Sequence, residues 1–185
     1  EVFRRCGLPE RILAAIGSPW GDTGNGEGHT VLTVWLLRLG VKVSHGRAYH
    51  PQTQGKEERF HRTLKAETTR PPAANLRAQQ RRFDHFVAEY NQERPHEALG
   101  DRTPAQLYYS SPRAYPARLP EPEYPGHFEV RRVSNYNGCF KWKSRLLFIG
   151  KVLSCEPIGL EEVDEGLWKV YFFNHLLARF DERTR

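Results

Sequence analysis

The sequence predicts an α/β region followed by a small all-β domain. Three observations predict it. Short apolar runs alternate with helix-length amphipathic segments up to about residue 110. Residues 111–126 then hold five prolines in sixteen residues, the composition of an extended, semi-rigid connector. Beyond that stretch the hydrophobic period changes from helical to two. The predicted division is therefore 1–110, a linker at 111–126, and 127–185.

The elements follow in order. Residues 11–16 form a short apolar run stopped by Gly17-Ser18-Pro19, which predicts a buried strand. Residues 21–28 hold four glycines and predict a loop. Residues 29–39 are strongly apolar and stop at Gly40, which predicts a helix with Trp35 in the core. Residues 41–44 alternate and predict a strand. A loop over 49–55 leads into a helix running to about Ala66, and Pro71-Pro72 breaks the chain. Residues 76–93 predict a second long helix, with Leu76, Phe83, Phe86, Val87 and Tyr90 on one face and Arg77, Arg81 and Arg82 outside. Thr103 and Pro104 predict the N-cap and first turn of a short helix ending near Tyr109. After the linker, strands are predicted over 128–133, 139–143, 145–149, 167–173 and 176–180. Turns at 135–138 and 164–166 join them, and the acidic run Glu161-Glu162-Val163-Asp164-Glu165 is expected in a solvated turn. Five short strands in so small a space predict a barrel of the SH3-like kind.

Composition narrows the function. The chain has 185 residues, 38% hydrophobic and 27% charged, the balance of a folded domain. No apolar run approaches the ~20 residues that span a bilayer, so no membrane partner is expected. Three widely spaced cysteines argue against a disulfide framework or a zinc knuckle and are expected as reduced thiols. The count of methionines is zero, which suggests a fragment of a longer reading frame. The net charge of +6, rich in arginine, suits a polyanionic partner.

The segment richest in chemistry runs from Ser44 to Lys65. On a helix, Gln54, Glu58, Arg62 and Lys65 share one polar stripe, while Glu57, Phe60 and Leu64 form a mostly apolar neighbour. A carboxylate can hold a hard cation such as Mg²⁺, and the flanking cations suit a phosphate backbone. The same spacing also describes an ordinary solvated helix face with an i,i+4 Glu58–Arg62 pair. In the C-terminal part, Arg131, Arg132, Lys141, Lys143 and Arg145 cluster with Tyr136, Phe140 and Trp142 interleaved. That mixture suits phosphate contact and base stacking, although strand alternation turns Lys141 and Lys143 away from Phe140 and Trp142.

Gly46-Arg-Ala-Tyr-His-Pro-Gln-Thr-Gln-Gly-Lys-Glu-Glu-Arg-Phe-His-Arg-Thr-Leu-Lys65 resembles the last catalytic motif of DDE transposases and retroviral-type integrases. Tyr90-Asn-Gln-Glu-Arg-Pro-His-Glu-Ala-Leu-Gly100, followed by Thr103-Pro104, is similar to the sequence that closes the same domain. The similarity covers roughly 1–110. A basic barrel after it is also usual in bacterial insertion-sequence transposases of this type.

The resemblance implies a ribonuclease-H-like integrase core, here incomplete because the early strands are missing. It implies Mg²⁺ held by two aspartates and a glutamate, and phosphoryl transfer that joins DNA strands. It implies DNA partners (transposon ends and target), a homo-oligomer, no small-molecule substrate, and a nucleoid-associated place in a bacterial cytoplasm. Glu58 matches the glutamate, with Glu57 the weaker match. DNA contacts are implied for His50, Gln54, Lys56, Arg59, Arg62 and Lys65, and are expected of Arg131, Arg132, Lys141 and Lys143 in the barrel. The second aspartate should end the strand before Gly17-Ser18-Pro19-Trp20, and Ala15 occupies that place. The first aspartate has too little chain before Arg11 to contain it, and Asp22 is a poor substitute. The expectation is a DNA-binding transposase fragment that does not catalyse alone. The alternative is a binding or assembly module that regulates an intact transposase.

Overall fold

The computed structural model describes residues 1–14, 19–21, 29–45 and 55–184. The expectations that fall on Ala15, Asp22, His50 and Gln54, and on the glycine-rich loop over 22–28, lie outside the described residues. Packing gathers residues 1–46 with 113–185 in one compact unit and 47–112 in a second. The proline-rich segment is therefore largely inside the first unit.

In the first unit, α1 (Val2–Cys6) precedes β1 (Arg11–Ala14), α2 (Val31–Arg38) and β2 (Lys42–His45). β1 and β2 pair in parallel, Arg11 opposite Lys42 and Ala14 opposite His45. Thr30 starts α2 by accepting a hydrogen bond from Thr33 N–H, while Thr33 Oγ1 accepts from Thr30 N–H at 2.7 Å. Gly40 ends it at a φ of 65°, where a Cβ would also meet the Arg113 guanidinium. That guanidinium donates to the carbonyls of Pro9 and Leu39 at 2.9 and 2.8 Å.

α2 is apolar on two sides because it serves two cores. Leu36 and Leu39 pack with Leu8 and Val41, with Phe3, Ile12, Trp35 and Tyr115 around them. Trp35 is thus a half-buried wall of this core, stacked on Phe3 at 5.7 Å, rather than its centre. Val34 belongs instead to the core of the C-terminal strands.

Those strands are β3 (Glu129–Arg132), β4 (Cys139–Trp142), β5 (Arg145–Phe148), β6 (Pro157–Asp164), β7 (Leu167–Phe172) and β8 (His175–Asp181). The expected SH3-like barrel is not shown. Among the described residues, hydrogen bonding builds a four-stranded antiparallel sheet in the order β3-β6-β7-β8 and a separate β4–β5 hairpin. The open end of the hairpin is tied at Gly138, just before β4, whose carbonyl accepts from the N–H groups of Ile149 and Gly150, just after β5, at 3.0 and 3.2 Å. The hairpin therefore packs on the sheet instead of extending it. β7 alternates perfectly, burying Trp168, Val170 and Phe172 against Phe140, Trp142, Ile158 and Leu160. Each such side chain contributes about 1.5–3 kcal/mol by leaving water.

β6 corrects one expectation. The acidic run expected in a turn is the outer half of this strand, and only Glu165 and Gly166 turn the chain. Its inner half is fully buried at Ile158 and Leu160, so packing overrides the poor strand tendency of Pro157, Gly159 and the carboxylates.

The second unit is helical: α3 (Gly55–Thr68), α4 (Leu76–Gln92), a 3-10 turn at Glu97–Leu99, and α5 (Pro104–Leu107). Asn75 caps α4 by accepting from Ala78 N–H at 2.9 Å. Gln79 ties the inter-helix loop together, donating to Thr68 O at 2.9 Å and accepting from Ala73 N–H at 3.0 Å. Phe60 of α3 meets Phe86 and Tyr90 of α4 at 6.1 and 5.2 Å. The inward stripe on α4 is Gln79, Phe83, Phe86 and Tyr90, of which Phe86 is buried and the others half-buried. Leu76 (89% exposed) and Val87 (48%) are not part of it, because Leu76 lies beyond the end of α3 and Val87 is a hundred-degree step off the stripe.

Candidate nucleic-acid interface

α3 divides as its period dictates. Phe60, Thr63, Leu64 and Thr68 turn inward, and Lys56, Glu58, Arg59, Arg62 and Lys65 are exposed. Glu58, Arg62 and Lys65 thus share the outward stripe expected of them. No ion pair within 4.0 Å joins Glu58 to Arg62 among the described residues, so both charges face solvent. Glu57 is exposed too, 3.7 Å from His61, and is not drawn towards the core by Phe60 and Leu64. Both carboxylates lie in the first turn, where the helix dipole favours them.

Behind the stripe, α3, α4 and the turn after Tyr90 enclose a recess of about 540 Å³. Lys56, Arg59, Phe60 and Thr63 line one side, and Tyr90, Arg94, His96, Leu99 and Pro104 the other. Arg94 is neutralised: it donates to both Glu67 oxygens at 2.9 and 2.8 Å and to Glu89 at 3.2 Å. The hydrogen bonds from Arg94 hold the Glu67 carboxyl below its ordinary range.

In the first unit the basic cluster is largely engaged internally. Arg131 bonds the Glu129 carboxylate and lies 5.5 Å over the Trp142 ring. Arg132 donates to Cys155 O at 2.6 Å, and Arg145 to Thr184 O at 2.6 Å. Lys143 pairs with Glu182 at 2.8 Å, which raises its pKa and lowers that of Glu182. Phe140 and Trp142, each 2% exposed, are core and offer no stacking face. Tyr136 remains outside at 92% exposure, and Lys141 projects from the outer face of β4.

One grouping has no signal in the sequence. His29 and His175, far apart in the chain, meet edge to face at 5.3 Å. With Arg11, Lys42 and His45 they line a cavity of about 190 Å³. Burial lowers the pKa of both, and the neighbouring ring lowers His29 further.

Residues 39–104 match the family model described as Integrase core domain. This segment is similar to the catalytic core of integrases and transposases. It spans β2, α3, α4 and the 3-10 turn, and it contains both the outward stripe of α3 and the recess behind it. Integrase core domains have a ribonuclease-H-like fold, act on DNA and are generally dependent on a divalent metal. The mixed β1-α2-β2 order of the first unit is compatible with that fold class. The metal ligands do not fit as readily. Among the described residues no three His, Cys, Asp or Glu side chains gather in a group able to hold an ion. Nor is any described helix long and apolar enough to cross a membrane.

Proposed function

We propose that this chain is the DNA-holding part of a transposase of the bacterial insertion-sequence kind. The observation that carries the reading is the exposed stripe of Glu58, Arg62 and Lys65 on α3, inside the segment that matches the integrase core. Arg62 and Lys65 hold the phosphate backbone, with Lys56 and Arg59 beside them, and DNA contact is proposed for His50 and Gln54 as well. Glu58 is the one carboxylate of a Mg²⁺ site that this segment carries, and Ala15 stands where a second ligand belongs. The charges of Arg131, Arg132, Lys141 and Lys143 supplement the surface, Lys141 most directly. The bacterial nucleoid is where such a protein works, as a homo-oligomer on transposon ends and target.

Anisotropy of a labelled duplex across a salt series, with and without Mg²⁺, tests it. The expected result is tight binding that weakens by about 0.9 log units per neutralised phosphate for each decade of salt. Absence of binding at low salt overturns the reading.

A second reading is a module that binds DNA or an intact transposase without catalysis. Ala15, at the place in the sequence where the resemblance expects the second aspartate, favours it. A Mg²⁺-dependent nicked or joined product from this chain would rule it out.

A further inference from the structure

The recess behind the α3 stripe holds a feature that backbone contact leaves unused. His96 Nε2 is buried there with no hydrogen-bond partner. Enclosing such an atom without a partner is unfavourable, so a turn of the imidazole that brings Nε2 to a bound group gains the difference. The floor is aromatic: Phe60 and Tyr90 meet at 5.2 Å, and Tyr90 and His96 at 4.8 Å. The rim is cationic, with the exposed Lys56 and Arg59 of α3. Arg94 adds no net charge, being tied to Glu67 and Glu89, and Glu97 is the one carboxylate among the lining residues. The volume, about 540 Å³, lies within the range of ligand pockets.

These parts select one chemistry. A bare anion would meet the rim and leave the aromatic floor and His96 uncovered. An apolar group would fill the floor and leave the cations solvated. A ring joined to a phosphate meets all three, because π-faces accept any base and Lys and Arg accept its phosphate. We propose that the recess takes one nucleotide unit, with the phosphate on Lys56 and Arg59 and the base on the Phe60–Tyr90 floor within reach of His96 Nε2. The unit comes either from an unpaired position of a DNA strand or from a free mononucleotide. Only the first source rests on the DNA reading above.

The test uses the full chain and three probes: dAMP, inorganic phosphate, and a single-stranded oligonucleotide, with a paired duplex measured alongside. dAMP is expected to bind and to shift the side-chain ¹⁵N resonance of His96 in the unaltered protein. Arg59→Gln should weaken dAMP about tenfold, the scale of one charge-assisted hydrogen bond. Arg77→Gln, on the exposed side of α4 and outside the recess, should leave dAMP binding unchanged. Competition between dAMP and the single strand assigns the site to DNA. Independent binding assigns it to the free nucleotide. Either result supports the proposal.

Inorganic phosphate binding as tightly as dAMP would reduce the site to its rim and overturn the proposal. So would no dAMP binding up to about 10 mM. If the duplex still binds in that case, the DNA reading stands without the recess. If the duplex fails and dAMP binds, the recess stands without the DNA reading.

Discussion

Arg38 Nη2 lies 2.7 Å from Glu156 Oε1 and 2.5 Å from Oε2, which clamps the last residue of α2 to the residue before β6. Both side chains are mostly shielded, at 23% and 16% exposure, so the pair is less screened than a surface bridge.

Arg38→Ala should therefore destabilise the first unit by about 1–3 kcal/mol, because Glu156 keeps its burial and loses its partner. Urea unfolding followed by tryptophan fluorescence measures this. A midpoint within error of the unaltered protein would show the clamp to be solvated in solution.

Trp142 is fully buried, with its ring 4.4 Å from that of Trp168 and 5.4 Å from that of Phe180. Trp142→Ala removes the centre of the core shared by the hairpin and the sheet and should cost about 3–5 kcal/mol. Near-ultraviolet circular dichroism should lose its tryptophan bands at the same time. Retention of those bands with an unchanged melt would mean that the hairpin does not pack where it is described.

The His29–His175 contact predicts a pH dependence. Both imidazoles have folded pKa values below the ordinary 6.5. Above about pH 6.5 folded and unfolded chains are both neutral at these sites, and the stability is complete. As pH falls from there, the unfolded chain takes up protons that the fold resists, so stability drops. The melting temperature should decline between about pH 7 and pH 5, and His175→Gln should flatten that decline. The paired carboxylates Glu67 and Glu182 are also held low, so their contribution is lost only in the more acidic window below about pH 4.5. A profile that is flat down to that window would remove the histidines from the explanation.

Glu58→Gln takes a negative charge from a surface proposed to face phosphate. DNA affinity should stay equal or rise, and any Mg²⁺ response should vanish. Arg62→Ala and Lys65→Ala should each weaken binding alike across DNA sequences and lower the salt slope by about 1. A metal-dependent activity that survives Glu58→Gln would move the carboxylate role elsewhere, with Glu57 the first alternative.

Helices were legible in the sequence because their cues are local: Thr103 at a start, Gly40 at a stop, Phe60 and Leu64 at helical spacing. The outward stripe of α3 follows from the same periodicity. Strand pairing was less legible. β6 carries Pro157, Gly159 and three acidic residues and is a strand because Ile158 and Leu160 are swallowed by the core. Its absence from the expected pattern also hid that β3 pairs with β6 and not with β4. The recess and the His29–His175 contact are products of tertiary packing between distant residues, for which a linear pattern has no mark.

The place of Val34 in the core of the C-terminal strands sets an order of assembly. Arg38 and Glu156, whose clamp closes this unit, are 118 residues apart, so the ribosome releases α2 on the order of ten seconds before the residues it must meet. α2 carries apolar residues on both sides and waits for one of its partners throughout that interval. The helices of 47–112, whose contacts are local, can be complete by then. A pause in translation after residue 112 would prolong the helix's exposure, and a chaperone or a partner chain that meets the nascent protein would find α2 before the sheet does.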